Sequence, residues 1–255
     1  MLPKIFKPQY EYNFLRIGGK FDGGYIVEKD TFFNSELLIS AGLSYDFEFE
    51  KQFINQNNKK VICFDHTLNF KHYSLTWFLI FLKRVILLKK IGSIKKAFKN
   101  FLKPIRLFFF LRNEKVELKE LGLGLGHKKI SLKKLFEKYV DKKKIFLKID
   151  IEGDEYRLLD DIIYETEKIS SLVIEFHDID LNLEKVEKFI SNLKLDLVHI
   201  HPNNVGGVNS NGDPTIIEFT FANSPKRISE RKIVKNELDT DTNPSLSSVD
   251  MKFKD

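Results

Sequence analysis

The sequence has very little cysteine, with Cys63 as the single one among 255 residues. A disulfide within the chain is therefore excluded, and a chain of this length can instead bury a sizeable hydrophobic core. The first residues, MLPKIFKPQYEY, also lack the apolar segment of a secretory signal. We therefore expect a cytoplasmic protein with a single domain over residues 1–255, which includes an insertion at 70–113 and a C-terminal extension at 224–255.

Acidic residues are absent between His66 and Asn113, although the chain contains 36 of them. Eleven lysines and arginines give this segment a charge of +11, so the rest of the chain carries −5 and the net charge of +6 belongs to the insertion. Long uninterrupted apolar runs are missing as well, because Lys83 and Arg84 divide the apolar part of the segment. A membrane-spanning helix would have to place both charges in hydrocarbon, which excludes it.

The insertion has instead the pattern of one or two basic amphipathic helices. Apolar residues recur at helical spacing from Ile91 to Ile105, and the lysines fall on the opposite face. Such helices could form a lid that attracts an anionic substrate, an arm of a homo-oligomer, a peripheral contact with the inner face of the membrane, a nucleic-acid contact, or a solvated lysine-rich surface. We favour the lid or the oligomer arm, and membrane contact is the second interpretation.

Carboxylates gather where one strongly apolar stretch ends. The residues Ile145 to Leu147 predict a strand that is buried on both faces, and Asp150 and Glu152 follow it closely. In open α/β sheets, ligands bind beyond the carboxyl ends of the strands, so these acids can act as bases or as metal ligands. A carboxylate before a helix can also serve only as a cap, and that is our interpretation of Glu155.

An earlier stretch predicts the first strand, turn and helix of a nucleotide-binding sheet. Leu37 to Ser40 is a candidate strand, followed by the turn AGLSYD and a helix from Asp46. The turn lacks the G-x-G-x-x-G of a dinucleotide site and the lysine of a P-loop. The next candidate strand, Val61 to Phe64, ends in Asp65, and an acid at this position can accept both hydroxyls of a ribose. These features together predict an adenosine-type cofactor without a pyrophosphate.

Two further glycine-rich stretches have simpler explanations. The glycine pairs in RIGG and DGGY fit a hairpin turn between the strands Phe14 to Ile17 and Tyr25 to Val27. The stretch LGLGLGH is not followed directly by a helix, so we interpret it as a flexible loop and not as a phosphate-binding turn.

Histidines follow two of the later candidate strands. Leu172 to Glu175 leads into His177 and Asp178, and His177 is a candidate general base because imidazole titrates near neutral pH. An interior histidine held by a neighbouring carbonyl is an equally good explanation. The strand Leu197 to Ile200 leads into HPNN, a cluster of turn-forming residues that also fits a simple turn.

These motifs resemble the FkbM-type family of S-adenosylmethionine-dependent methyltransferases. The residues that carry the resemblance are SAGLSYDFEFE, Asp65, ISLKKLFEKY before IFLKIDIEGDE, and VIEFHDID. The stretches RIGG…DGGY, HIHPNN and LDTDTNP…DMKF resemble a branch linked to bacterial surface polysaccharides. The resemblance covers most of the chain except the insertion. It implies an α/β fold with a Rossmann-like seven-stranded methyltransferase sheet, mostly parallel with an antiparallel terminal strand, and methyl transfer to a hydroxyl, often of a sugar.

The resemblance also implies roles for individual residues. The implied cofactor-binding residues are Asp22, Gly23, Tyr25, Gly42, Ser44, Asp46 and Asp65. Together with the positions at the strand ends, the resemblance predicts Asp150, Glu152 and His177 as catalytic residues and Asp178, His201, Asn203 and Asn204 as substrate-binding residues. One departure matters: SAGLSYD stands where many relatives have a D-x-G-A-x-x-G pattern, so the resemblance does not fix the contacts to the cofactor carboxylate.

Methyl transfer from a sulfonium requires in-line approach of the acceptor oxygen and removal of its proton. Asp150 or His177 is the expected base. Some sugar methyltransferases of similar architecture use a divalent cation, and a Mg²⁺ site here would draw its oxygen ligands from Asp150, Glu175 and Asp178, with Glu152 as a further ligand. The sequence leaves catalysis by a base alone and catalysis assisted by a metal as open alternatives.

The sequence therefore predicts an O-methyltransferase that acts on a sugar or nucleotide-sugar destined for a cell-surface glycan. A nucleic-acid partner is not expected, because the chain has no Asn-Pro-Pro-aromatic signature of base methylation. The alternative is a catalytically inactive module that keeps this fold and binds a membrane surface or a glycan.

Overall fold

The computed structural model describes residues 1–68, 70–87, 91–124, 126–231 and 234–254. Parts of three predicted features lie outside the described residues. These parts are 88–90 in the insertion, Leu125 in the glycine-rich loop, and 232, 233 and Asp255 in the C-terminal extension.

The described chain alternates strands and helices over most of its length. The strands are β1 (Tyr10–Glu11), β2 (Phe14–Gly18), β3 (Gly24–Glu28), β4 (Leu37–Ala41), β5 (Lys60–Phe64), β6 (Val116–Lys119), β7 (Gly122–Leu123), β8 (Lys129–Ile130), β9 (Ile145–Ile149), β10 (Ile169–Phe176), β11 (Asp196–Pro202), β12 (Ile217–Ala222) and β13 (Ser229–Glu230). The α-helices are α1 (Lys29–Phe33), α2 (Glu48–Asn57), α3 (Phe70–Ile86), α4 (Ile91–Leu111), α5 (Leu132–Lys138), α6 (Leu159–Tyr164) and α7 (Leu183–Asn192). Short 3₁₀ helices lie at Lys4–Phe6, Glu155–Arg157, Thr166–Lys168 and Ile179–Leu181.

Seven strands form the central sheet in the order β11-β12-β10-β9-β4-β5-β6. The strands from β6 to β10 in this order are parallel, whereas β12 is antiparallel to both of its neighbours. Parallel strands need a crossover, and α7 supplies one between β10 and β11. Residues 203–216, all of them described, contain no helix, so β12 turns back beside β11. The predicted architecture is confirmed: α/β, with a Rossmann-like seven-stranded sheet that is mostly parallel and whose last strand in sequence, β12, is antiparallel.

The sheet is buried on both faces, which explains its nearly continuous apolar strands. Neighbouring residues of a strand point to opposite faces and therefore enter different cores. Ile145, Leu147 and Ile149 of β9 pack on one face with α5, α6 and α7. Phe146, between them, packs on the other face with α1, α2 and the last turns of α4.

The predicted hairpin is confirmed, because β2 and β3 pair in antiparallel register with Gly18 opposite Gly24. Gly18 has a φ of 100°, and a Cβ there would lie 2.1 Å from the carbonyl oxygen of Gly23. Backbone crowding in this turn therefore requires glycine at position 18.

Helix boundaries agree with the sequence less well than the strands do. Ser131 caps α5, since its side chain accepts a hydrogen bond from the backbone N–H of Lys134. The helix predicted from Asp46 begins instead at Glu48. After β9, a 3₁₀ turn at Glu155–Arg157 precedes a short α6 and takes the place of one continuous helix.

The insertion folds as a helical hairpin, formed by α3 and α4 between β5 and β6. The rings of Phe78 and Phe101 lie 5.5 Å apart across the two helices. Near the end of α4, Leu107 and Phe110 are buried in the core of the domain. Pro104 lies inside α4 before them and cannot donate a backbone hydrogen bond there. Within the part of the chain that the structure describes, no helix is long and apolar enough to cross a membrane.

The described part of the C-terminal extension folds back on the domain. β13 pairs with β1, and Leu2 forms an isolated bridge with Phe253. The side chain of Asn204 donates to the carbonyl of Asn243 and accepts from its N–H, both at 2.9 Å. These contacts attach the extension to the N-terminal segment and to the loop that follows β11.

The substitution Gly42→Ala should destabilise the fold strongly. Gly42 has a φ of 84°, and a Cβ there would lie 1.6 Å from the carbonyl oxygen of Asp150, so the ends of β4 and β9 would have to separate. We expect the free energy of unfolding to fall by about 2–4 kcal/mol, measured by chemical denaturation. The control is Gly92→Ala in α4, where a Cβ meets nothing within 4 Å and stability should be unchanged or slightly higher. Equal stabilities of the two variants would contradict the close strand contact.

Candidate functional site

Three of the predicted site residues directly follow strands that end at the same edge of the central sheet. The last residues of β4, β5 and β9 are in register, so Gly42, Asp65 and Asp150 follow them side by side. The backbone ladder continues one step further, with N–H donors of Gly42 and Asp150 each 3.0 Å from the carbonyl oxygen of the neighbouring strand. The sheet therefore fixes the relative positions of these three residues.

The carboxylate of Asp65 is buried and already oriented. One of its oxygens accepts from the backbone N–H of Ser44 at 2.8 Å, and the other accepts from the N–H and the hydroxyl of Thr67, both at 2.7 Å. A carboxylate has about four acceptor positions, so the two oxygens have capacity for a further donor. Thr67 was not anticipated from the sequence, although a threonine two residues after an acid is a common local hydrogen-bond partner.

A cleft opens beside these strand ends. It has an empty volume of about 730 Å³, part of which is open to solvent. Its lining includes Gly42, Ser44, Phe64, Asp65, His66, Gly122, Leu123, Asp150 and Glu152. The predicted flexible glycine-rich loop thus contributes to the cleft through Gly122 and Leu123. The combination of apolar walls and a few fixed polar groups is typical of a small-molecule site.

A cluster of charged side chains surrounds His177 next to the cleft. Its Nδ1 lies 2.6 Å from an oxygen of Glu155, and its Nε2 lies 3.4 Å from Glu152, 3.7 Å from Glu175 and 4.0 Å from Asp150. The interpretation of Glu155 as a helix cap is wrong, because Asp154 occupies the N-cap position and Glu155 lies inside the 3₁₀ turn with its side chain fully buried. Its side chain holds the ring of His177, a predicted catalytic residue.

The pKa values in this cluster show where protons are held. Burial and the charge of Asp150 raise the pKa of Glu175 to about 7. Burial alone would lower the pKa of His177, but the hydrogen bond to Glu155 and the charges of Glu155 and Glu175 raise it to about 9. An imidazole with this pKa carries its proton at pH 7. His177 is therefore a cation among carboxylates at that pH, and a carboxylate such as Asp150 is better placed to accept a proton.

Tyr25 and Asn203 form hydrogen bonds with the carboxylates of Asp150 and Glu175. The buried hydroxyl of Tyr25 lies 3.1 Å from Asp150 and 3.3 Å from Glu175, and burial together with these two charges raises its pKa well above 10. The side-chain amide of Asn203 donates to Glu175 at 2.8 Å. The tyrosine, implied to contact the cofactor, and the asparagine, implied to contact the substrate, both touch acids of the cluster.

The other residues with a predicted role in substrate binding do not line the cleft. The imidazole of His201 lies 3.5 Å from Asp239 of the C-terminal extension, and Asn204 bonds the same extension. Asp178 is exposed and has a left-handed backbone with a φ of 49°. The structure thus places His201 and Asn204 against the C-terminal extension and outside the lining of the cleft, and their contacts with a substrate stay a prediction.

Asp22, Gly23 and Asp46 come together at the tip of the β2–β3 hairpin, where a Cβ on Gly23 would lie 3.7 Å from the Asp46 side chain. Burial and the charges of Asp150 and Asp46 raise the pKa of Asp22. Asp22 and Asp46 line a groove beside α4 and are absent from the lining of the cleft. The implied cofactor residues are therefore divided between two adjoining spaces.

The predicted magnesium ligands are only partly brought together. Asp150, Glu175 and His177 each offer a ligand atom within 4.8 Å of the others, so His177 stands where the sequence predicted Asp178. Mg²⁺ prefers an octahedron of oxygen ligands. Here one ligand is an imidazole nitrogen, and the carboxylate oxygens are already bonded to Tyr25 and Asn203. The residues present therefore do not fit Mg²⁺.

A buried ion pair lies beneath the site and was not predicted. Lys148, in the middle of β9, lies 3.5 Å from Glu50 of α2, and Glu50 accepts from the Ser40 hydroxyl at 2.5 Å. Lys148 also contacts the carbonyl of Gly42 at 3.4 Å. Burial would lower the pKa of Lys148, but Glu50 and Asp150 outweigh it and raise the pKa. A lysine inside an otherwise apolar strand was the only sequence signal for this pair.

Comparisons with known proteins find similarity at the level of solved structures. No protein-family model matches the chain. No curated protein matches its sequence. A candidate tRNA (m1A22) methyltransferase from Streptococcus pneumoniae, in complex with S-adenosyl-L-methionine, is 8% identical over 76% of this chain and 69% of its own, with a TM-score of 0.39. A fibrillarin pre-rRNA processing protein from Methanococcus jannaschii is 10% identical over 85% of this chain and 84% of its own, with a TM-score of 0.37.

Removal of the Glu155 charge should lower the pKa of His177. In Glu155→Gln we expect the pKa, followed by NMR titration of the imidazole, to fall from about 9 by roughly one unit or more. A raised histidine pKa stabilises the fold fully below about 6.5, and this stabilisation is lost as the pH rises through about 9. The variant should therefore lose less stability between these two pH values than the unmodified protein does.

Glu152→Gln is the matched control, because it removes the same charge near the same ring from a side chain that is 85% exposed. Its effect on the pKa of His177 should be clearly smaller, since solvent screens an exposed charge. Equal shifts in both variants would contradict the dominant role of the buried Glu155.

Proposed function

We propose that the protein is an S-adenosylmethionine-dependent O-methyltransferase that acts on a sugar hydroxyl, of a nucleotide-linked or surface-polysaccharide sugar. The observation that carries this proposal is the convergence of Gly42, Ser44, Asp65 and Asp150 on one cleft at the carboxyl edge of the sheet. The motifs that resemble the FkbM-type family supply these residues. Their positions around a single cleft support the resemblance independently of sequence.

The residues of the cleft fit the proposed cofactor. Asp65 has acceptor capacity for a further donor such as a ribose hydroxyl, and its orientation is fixed before any ligand binds. Phe64 and Leu123 offer apolar surface for the adenine base. Gly42 and Ser44 lie where the resemblance puts the methionine part. When bound, S-adenosylmethionine supplies an electrophilic methyl group.

The chemistry required of the chain itself is modest. A hydroxyl acceptor must be held in line with the methyl group and must lose its proton. Asp150 lies at the rim of the cleft and is held by Tyr25, so it is the residue that we assign as base. The charge of His177 lowers the pKa of Glu175, although burial and the charge of Asp150 outweigh it and raise this pKa. Glu152 lies at the exposed rim.

The groove beside α4 is the proposed acceptor site. Its lining contains five cations, namely Lys20, Lys96, Lys99, Lys103 and Arg106, and three acids, namely Asp22, Asp46 and Glu48. Burial raises the pKa of Asp22, and the charge of Asp150 raises it further. Tyr25 follows Asp22 by three residues in the same hairpin, and its hydroxyl lies 3.1 Å from Asp150, so the hairpin that lines the groove also reaches the assigned base. An acceptor in the groove can therefore approach a methyl donor in the cleft.

The charge of the groove favours an anionic acceptor. Lys103 and Arg106 pair with Asp46 and Glu48 at 3.7 and 3.9 Å. Lys96 and Lys99 have no ion-pair partner among the residues that the structure describes, and both side chains are exposed. Unpaired ammonium groups at the rim of a groove attract phosphates. This supports a nucleotide-linked sugar over a neutral glycan as the acceptor.

Asp65→Asn and Asp150→Asn should separate cofactor binding from catalysis. We expect S-adenosylmethionine binding, measured by calorimetry, to weaken by roughly tenfold or more in Asp65→Asn, since a charged acceptor is lost. Asp150→Asn should bind the cofactor nearly normally but form S-adenosylhomocysteine at least about 100-fold more slowly with a panel of nucleotide sugars. Asp160→Asn, at an exposed position on α6, is the control. No binding to the unmodified protein at high micromolar cofactor would refute the proposed function.

The double substitution Lys96→Glu, Lys99→Glu should weaken acceptor binding selectively. We expect KM for an active nucleotide sugar to rise by about tenfold or more, because two charges that face the groove are reversed. The cofactor affinity should stay the same. Lys95→Glu combined with Lys83→Glu changes the same total charge on exposed positions outside the groove lining. If both double variants raise KM equally, the groove does not bind the acceptor and only the net charge matters.

A further inference from the structure

Exposed apolar side chains are concentrated on the helical hairpin. Of the 23 large hydrophobic side chains that are exposed among the described residues, twelve lie between Leu75 and Phe109. Several are more than half exposed, including Leu79 at 55%, Ile86 at 74% and Phe109 at 65%. Single exposed apolar residues are ordinary, but a contiguous group of this size marks an interaction surface.

On α3 these residues form one continuous stripe, which we call the outer stripe. Its members are Leu75, Phe78, Leu79, Leu82, Val85 and Ile86. Their spacing of three, one, three, three and one places them all on one side of the helix. On the other side, the ring of Tyr73 stacks on Tyr45 at 3.8 Å, which attaches α3 to the domain. The apolar side of this helix is therefore the side that faces solvent.

The second helix of the hairpin, α4, also has exposed apolar side chains. Ile91, Phe98, Ile105 and Phe109 of α4 are exposed at spacings of seven, seven and four. Phe98 contacts Phe81 of α3 at 5.4 Å, so the exposed surfaces of the two helices meet along their line of contact. Lysines and arginines flank this surface, and the segment from 66 to 113 contains no acidic residue.

We propose that the outer surface of the α3–α4 hairpin binds to anionic membranes, with both helices lying in the headgroup region. Amphipathic helices that bind membranes in this way combine an apolar stripe with flanking lysines and arginines, and they bind more strongly to anionic lipid. The hairpin has both features, and neither helix is suited to cross the bilayer. The site edge of the sheet would then operate beside a membrane surface.

Charge decides between a membrane and a second copy of the chain as the partner. In a symmetric dimer the same surface of both copies would meet. Each copy would bring an excess of positive charge, because the segment contains eleven cations and no acid, and Asp46 and Glu48 of the domain pair with only two of them, Lys103 and Arg106, among the residues that the structure describes. An anionic lipid surface covers the apolar stripe and also pairs with these cations, so it is the better complement.

Vesicle sedimentation with the full chain tests this proposal. We expect the protein to pellet with vesicles that contain phosphatidylglycerol, and much less with vesicles of phosphatidylcholine alone. Added salt should reduce the binding, since it screens the cations. Leu79→Glu should weaken the partitioning by roughly tenfold or more, because a charge replaces an apolar anchor of the outer stripe.

Thr76→Glu is the matched control, since it adds the same charge to an exposed position of α3 outside the stripe. Its partitioning should remain much closer to that of the unmodified protein. Circular dichroism of each variant checks that the fold is kept. The proposal is overturned if the protein stays in the supernatant with phosphatidylglycerol vesicles at low salt, or if both variants bind equally. It is also overturned if sedimentation without lipid shows a dimer that Leu79→Glu dissociates.

Discussion

The contact between the ends of β4 and β9 is the constraint on which the site depends. Only a glycine at position 42 allows its backbone to lie against the carbonyl of Asp150. The same contact keeps the two strands in register with β5, and the register brings Asp65 to the same edge. Gly42, which the sequence suggested as a ligand contact, is therefore also required by the close packing of the backbone. A substitution there would disturb the fold and the site together.

Several charges are buried close to this edge, and each has a partner that offsets the cost of its desolvation. Tyr25 and Asn203 donate to the carboxylates, Glu155 holds His177, and Lys148 is paired with Glu50. The acids are therefore in place before a ligand binds. Such preorganisation is what proton transfer from a weakly acidic hydroxyl requires, because little reorientation remains to be done in the transition state.

The fold could be predicted from the sequence to a large extent because the central strands are buried on both faces and therefore appear as apolar runs. The acids that end β5 and β9 were found for the same reason. The partners of these acids could not be found in this way. Tyr25 contacts residues 125 and 150 positions away, and nothing in its local sequence indicates that distance. Periodicity identified amphipathic helices in the insertion, but it could not tell which side of α3 would be left exposed.

Pro104 divides α4 into two parts that are held in different ways. The part after it is anchored through Leu107 and Phe110 in the domain core, whereas much of the part before it is exposed. Because proline has no N–H, the carbonyl of Asn100 lacks the donor that an unbroken helix would supply. The helix is thus weakest in bending where its anchored and free halves join. A force on the exposed half of α4 would therefore bend the helix at Pro104, and little of this force would reach β5 and β6 at the base of the hairpin.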